Sequence, residues 1–194
     1  AVDCTGHGVP GAFMSIVGNN TLNYALNVEN ATQPSRILEI LDQGVSDTLR
    51  QTSSDSSVHD GMDLAMVTID KENRILQYSG AFNPLILIRD GEVEKIKADR
   101  IAIGGHIIKE KKSFTNNEFE YKEGDVIYMY SDGYADQFGG EKGGKYMSGK
   151  FVKFLQSIHH LSLEEQYKKL DHELITWRGE EPQIDDILVI GVKF

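Results

Sequence analysis

From Met62 onward the sequence breaks into short apolar runs at residues 64–69, 75–78, 85–89, 92–96, 119–121 and 126–130, each bounded by turn residues. Asp70-Lys71-Glu72-Asn73 and the Asp90-Gly91 pair have the chemistry of hairpin connections, because Asp, Asn and Gly tolerate the backbone angles that reverse a strand within a few residues. Hairpins force antiparallel pairing, whereas a doubly wound parallel sheet needs a long crossover after every strand. That arrangement is therefore excluded, and a β-meander becomes the centre of the fold.

Helical periodicity brackets the meander. Pro10 suits a first helical turn, and Phe13, Ile16, Val17 and Tyr24 recur at helical spacing up to about Leu26. Thr32 and Pro34 open a second helix with the stripe Ile37, Leu38, Leu41, Val45 and Leu49, followed by an aperiodic Ser/Asp-rich loop over residues 51–59. Beyond the meander, residues 151–158 read as a helix, and Ser162 with Glu165 forms a capping box ahead of another that runs to about Trp177. The chain closes on a continuous apolar run, 187–192, of the kind that fills a buried central strand. The expected fold is an α/β (α+β) sandwich: antiparallel β-sheets flanked by helices.

Charge narrows the partners. The 194 residues carry 30 Asp and Glu against 20 Lys and Arg, a net charge of -10. The one lysine-rich stretch, residues 109–112, is short and interrupted by Glu110, so no basic face for nucleic acid is expected. A single cysteine, Cys4, forms no internal disulfide and no common zinc spacing, which points to a reducing, cytoplasmic compartment. No apolar run approaches the length of a membrane span. The chain begins Ala-Val-Asp-Cys without an initiator methionine, and reads as a domain cut from a longer protein with its first element incomplete.

Carboxylates sit at the ends of three apolar runs. Asp3 follows Ala1-Val2, Asp132 follows the 126–130 run and precedes Gly133, and Asp185 with Asp186 opens the final run. A lone strand-end Asp is an ordinary turn former. Three such motifs converging on one rim would repel each other unless a cation intervened, and hard oxygen donors without Cys or His favour Mg²⁺ or Mn²⁺ over zinc. After Asp3, the small residues of Thr5-Gly6-His7-Gly8 allow close approach of the backbone. His7 can serve as a substrate contact or general acid, or merely orient the turn.

Other motifs are weaker. Gly139-Gly140-Glu141-Lys142-Gly143-Gly144-Lys145 matches a phosphate-binding G-x-x-x-x-G-K loop, but Tyr146 stands where a Ser or Thr would meet Mg²⁺, and the run does not directly follow a strand. A glycine-rich flap beside the carboxylate rim is the better reading. His159-His160 fall at a helix end and suit carbonyl capping, and Trp177 suits an anchor for the last helix. Ser131 has no evident base partner. Cys4 lacks the anion loop that a cysteine phosphatase needs after its nucleophile.

Taken together, Asp3-Cys4-Thr5-Gly6-His7-Gly8-Val9-Pro10-Gly11-Ala12, Tyr78-Ser79-Gly80-Ala81-Phe82-Asn83-Pro84, Ser131-Asp132-Gly133, Asp136-Gln137-Phe138-Gly139-Gly140-Glu141 and Gln183-Ile184-Asp185-Asp186-Ile187-Leu188 resemble the metal-dependent PPM protein phosphatases. The likeness is to the bacterial SpoIIE-like branch, which includes the RsbU-type serine phosphatases, and it covers nearly the whole chain as one domain, 1–194. The resemblance implies a binuclear Mn²⁺ or Mg²⁺ centre with Asp3, the Cys4 carbonyl, Asp132 and Asp185 as ligands, Asp186 beside them, and His7 and Gly133 near the substrate. It implies hydrolysis of phosphoserine or phosphothreonine by a metal-activated water without a covalent enzyme intermediate. The family's upstream strand, with a Gly-Asp-Phe-like acidic motif, would lie before Ala1, so the chain resembles a domain lacking its N-terminal strand. Ala81-Phe82-Asn83 is neutral where some members hold a third metal.

Two classes of function follow. The first is an output phosphatase of a bacterial signalling protein, membrane-anchored or not, with a sensor or receiver domain upstream and a phosphorylated, anti-anti-sigma-like protein as substrate. The second is a regulatory or scaffold domain of the same fold that binds a phosphoprotein without turning it over. An unpaired strand left by the missing N-terminal element would also offer a route to a homodimer.

Overall fold

The computed structural model describes residues 1–4, 8–49, 61–105 and 112–194, and its hairpins follow from the turn residues. Strands β4 (Leu85–Arg89) and β5 (Glu92–Ile96) are joined by Asp90 and Gly91, both at positive φ (53° and 80°), with Arg89 opposite Glu92. Two left-handed residues in succession make the tight turn whose twist matches the flanking strands. Between β2 (Gly61–Asp70) and β3 (Ile75–Ala81), the Asp70 carboxylate accepts the N–H groups of Glu72 and Asn73 at 2.9 and 3.0 Å.

The described residues divide into two compact units. The first comprises Val2–Pro84 and Lys97–Tyr121. It contains β1 (Val2–Cys4), α1 (Val9–Asn27), α2 (Pro34–Thr48), β2, β3, β6 (Ile103–Gly104) and β7 (Asn117–Glu120). Its sheet runs β1-β2-β3-β7, with β6 also on β2, and every pair is antiparallel. Helix α2 buries Ile37, Leu38, Leu41 and Val45 as its periodicity predicts. Helix α1 has the expected extent but another face: Met14, Val17 and Ala25 are buried, while Phe13, Ile16 and Tyr24 are exposed. Apolar residues occur on both sides of this helix, so spacing alone did not select the core side. Lys112, the last residue of the lysine-rich stretch, is used internally: its ammonium lies 2.6 Å from Asp42 and donates to the carbonyls of Ala102 and Gly104.

The second unit comprises Leu85–Ile96 and Lys122–Phe194, with Ala1. Its sheet has the order β11-β8-β4-β5, where β8 is Val126–Tyr130 and β11 is Val189–Lys193. Strand β11 is thus an edge strand, exposed at Ile190 and Lys193, not the central strand expected from its composition. A continuous apolar run records burial somewhere along it, not its place in the sheet order. The helices are the single turn α3 (Gly133–Asp136), α4 (Ser148–Ile158) and α5 (Leu163–Arg178), and a small hairpin pairs β9 (Phe138–Gly139) with β10 (Gly144–Lys145). Both bonds of the Ser162–Glu165 capping box are formed. Ile86, Ile88, Val126, Tyr128, Tyr134, Tyr146, Phe151 and Leu155 form the core of this unit.

Antiparallel sheets accompanied by helices agree with the expected fold class. The 119–121 strand is observed as β7, shifted toward Asn117, and the 51–59 loop lies outside the described residues. Among the described residues, no helix is long and apolar enough to cross a membrane.

Candidate metal centre

The buried strand β8 ends in Ser131, whose position is set by three hydrogen bonds to the approach of β11. The Ser131 N–H donates to the Leu188 carbonyl at 3.0 Å, the Leu188 N–H donates to Ser131 Oγ at 3.0 Å, and Ser131 Oγ donates to the Asp186 carbonyl at 3.0 Å. One side chain thereby fastens the Asp185-Asp186 segment beside the end of β8. The next residues follow from that stitch. A Cβ on Gly133 would lie 2.3 Å from the Asp186 carbonyl oxygen and 2.9 Å from its carbon, so only glycine admits the approach.

Asp132 stands between Ser131 and Gly133 as the N-cap residue of α3. An Asp in this place ordinarily caps the helix with its carboxylate. Here the backbone is helical (φ -73°, ψ -16°) and the side chain makes no capping bond. Burial, then the charges of Asp185 and Asp136, push the Asp132 carboxyl above its usual range, while Lys145 opposes them. Asp185 is held by its own neighbour, since its Oδ1 accepts the Asp186 N–H at 2.8 Å, and the Gln183 side chain donates to the Asp185 carbonyl at 2.8 Å. A carboxylate offers about four lone-pair positions, so one such bond leaves capacity for a cation. Asp132 and Asp185 are exposed oxygen donors, and donors of this kind suit Mg²⁺ or Mn²⁺.

Asp136 and Lys145 were not foreseen as neighbours of this group. Asp136 lies one helical turn from Asp132, donating its N–H to the Asp132 carbonyl at 2.9 Å, and Lys145 Nζ is 2.7 Å from its carboxylate. The 139–145 run forms the β9–β10 hairpin and not a loop wound into a helix start, so the phosphate-binding-loop reading fails on geometry. The hairpin rests on the end of α5: the Gly140 N–H donates to the Trp177 carbonyl at 2.7 Å, and the Trp177 indole donates to the Gln137 carbonyl at 3.0 Å. His159 Nδ1 lies 2.6 Å from the Gln156 carbonyl, in keeping with a helix-end role.

Asp3 and Cys4 belong to the other unit, in β1. Asp3 pairs directly with Asp63 of β2, and Cys4 with Met62. Direct antiparallel partners place their Cβ atoms about 4.5–5.5 Å apart, so Asp63 is an acidic companion that sequence reasoning missed; only its place at the start of an apolar run could have signalled it. Burial raises the Cys4 thiol, with Ser15 opposing and Asp3 adding to the shift, which argues against a reactive thiolate. His7 lies outside the described residues, as do Thr5 and Gly6. No three His, Cys, Asp or Glu side chains among the described residues group as a metal cage.

The sequence profile of the family described as Stage II sporulation protein E (SpoIIE) matches residues 1–194. Among solved structures, the SiaA PP2C domain of Pseudomonas aeruginosa is similar at 32% identity and a TM-score of 0.89, over 100% of this chain and 74% of that one. The PP2C phosphatase domain of SpoIIE from Bacillus subtilis, solved with a fragment of its regulatory domain, matches at 20% identity and a TM-score of 0.68, over 99% of this chain and 51% of that one. The serine/threonine protein phosphatase PstP, in complex with two manganese ions, matches at 19% identity and a TM-score of 0.65, over 98% of this chain and 84% of that one. No curated protein matches the chain. With a profile match along its whole length and a 32% identical relative of the same fold, the chain belongs to the SpoIIE family of PPM (PP2C) phosphatase domains.

Proposed function

We propose that this chain is a metal-dependent protein serine/threonine phosphatase domain in which Asp132 and Asp185 hold a divalent cation. The observation that carries the reading is the Ser131 stitch, which holds an uncapped Asp132 beside Asp185 at a spot where Gly133 leaves room for nothing larger than hydrogen. Burial first, and then the neighbouring charges of Asp185 and Asp136, raise the Asp132 carboxyl, so its charged form gains from a cation. Asp186 supports the geometry through its carbonyl. By the family resemblance, Asp3 and the Cys4 carbonyl are further proposed ligands, and His7 and Gly133 the proposed substrate neighbours.

A divalent cation held by Asp132 and Asp185 would supply an activated water and charge stabilisation for phosphoryl displacement. The chain's own contribution is a backbone held in place by Ser131 and an Asp185 carboxylate that accepts the Asp186 N–H, which limits reorganisation during the reaction. On this reading the domain would act as an output module of a bacterial signalling protein, on a phosphorylated protein substrate.

The test is hydrolysis of p-nitrophenyl phosphate and a phosphoserine peptide during titration with Mn²⁺. Activity should depend on the metal and be lost in Asp132→Ala. Hydrolysis without divalent cation, or full activity in Asp132→Ala, would sink the mechanism, and a folded protein that binds no Mn²⁺ would favour a scaffold domain.

A further inference from the structure

The β9–β10 hairpin carries a Gly-Gly-Glu-Lys-Gly-Gly-Lys run that the metal centre leaves without a task. Its base is fixed. A Cβ on Gly139 would lie 2.0 Å from the Trp177 carbonyl oxygen, and the Tyr146 N–H donates to the Gln137 carbonyl at 3.0 Å. Its tip is open, since a Cβ on Gly143 or Gly144 would meet nothing within 4 Å. Lys145 projects from the fixed part to Asp136, at 2.7 Å, with both side chains about 40% exposed (41% and 40%). Nearby Lys150 is otherwise engaged, lying 3.8 Å from the Trp177 ring centroid and 4.1 Å from that of Tyr146.

We propose that Lys145 is an anion-holding arm of the site: when a phosphomonoester enters beside Asp132 and Asp185, the ammonium leaves Asp136 and donates to a non-bridging phosphate oxygen. This inference rests on the phosphatase reading. A phosphomonoester carries about two negative charges near neutral pH and meets a rim already lined by Asp132, Asp136, Asp185 and Asp186. Cations on the ligand carboxylates do not remove the charge of Asp136. Lys145 does so through its ion pair, and a pair this exposed is weak enough to exchange. A phosphomonoester offers the ammonium about twice the charge of the Asp136 carboxylate, and the flexible lysine stem spans the change without moving the hairpin base.

The experiment measures inorganic phosphate binding to the Mn²⁺-loaded chain by calorimetry, Mn²⁺ affinity separately, and steady-state hydrolysis of p-nitrophenyl phosphate. Lys145→Ala should weaken phosphate binding and raise KM about tenfold, with kcat and Mn²⁺ affinity nearly unchanged, and Lys145→Arg should restore most of the loss. Asp136→Asn should tighten phosphate binding severalfold, because the arm is released beforehand. If Lys145→Ala does not fold, the opposite-signed Asp136→Asn decides alone. Phosphate affinity and KM within twofold of the parent in Lys145→Ala, an equal loss in Lys142→Ala, or unchanged binding in Asp136→Asn overturns the assignment. Failure of the parent chain to hydrolyse any phosphomonoester with Mn²⁺ bound removes the phosphatase reading, and this one with it.

Discussion

Replacing Gly133 by alanine introduces a methyl group 2.3 Å from the Asp186 carbonyl oxygen and 2.9 Å from its carbon, where ordinary contact begins at 3.4 Å. The backbone must therefore part by about 1.1 Å at the oxygen. Gly133 does not occupy the left-handed region, so the penalty is one of space and not of conformation. Neither side yields freely, because Ser131 Oγ is bonded to that same Asp186 carbonyl and to the Leu188 N–H. Overpacking of this kind costs about 1–3 kcal/mol of stability. Its larger effect should be on the metal, since altered support of ligands commonly weakens metal affinity about 10- to 100-fold. Calorimetric titration with Mn²⁺, paired with thermal melting in chelator, separates the two effects. A Gly133→Ala protein that melts like the parent and binds Mn²⁺ within twofold of it would refute the argument that this contact sets the Asp132–Asp185 geometry.

Two further outcomes follow from the titrating groups. The Asp132 carboxyl is raised by burial and then by Asp185 and Asp136, so protons compete with metal there; Mn²⁺ affinity should fall as pH drops through the window between the usual Asp value and the raised one. For the metal-free protein the sign is opposite: the contribution of Asp132 to stability is present below its unfolded pKa and lost as pH rises through the folded one, so Mn²⁺ should raise the melting temperature most above that window. Asp125, whose side chain is 2% exposed, behaves in the reverse sense. Burial opposes its charge, but the Arg89 guanidinium (Nε at 2.9 Å) and the Lys122 N–H outweigh it and lower the carboxyl. Its stabilisation is present above the unfolded value and lost as pH falls through the depressed one. Arg89→Met should cost about 3 kcal/mol in urea unfolding at neutral pH, the low end for an orphaned buried charge because Arg89 is itself 30% exposed, and that deficit should shrink in acid. A deficit that does not vary with pH would show that packing, not charge, is lost.

Local chemistry made much of the fold legible from the sequence. The Asp90-Gly91 turn, the Ser162–Glu165 box and the α2 stripe each depend on residues a few positions apart, and each is found where the residues require it. The candidate carboxylates Asp3, Asp132 and Asp185 were legible as motifs because acidic residues beside glycine or a second acid at strand ends are chemically conspicuous.

What the chain order could not disclose was which side of α1 faces the core, that β11 is an edge, and which groups stand beside the carboxylates. Ser131 was part of a recognisable motif, but its role was not legible, because its partners lie 55 and 57 residues away and its work is to join two backbones. Asp63 opposite Asp3, and Lys145 on Asp136, emerge only when strands pair. The sequence by itself therefore determined most of the elements and singled out the candidate carboxylates, since turns, caps and amphipathic stripes are short-range preferences. Tertiary structure decided the neighbours of each carboxylate, because register and close backbone approach set electrostatic and steric terms between residues remote in the chain.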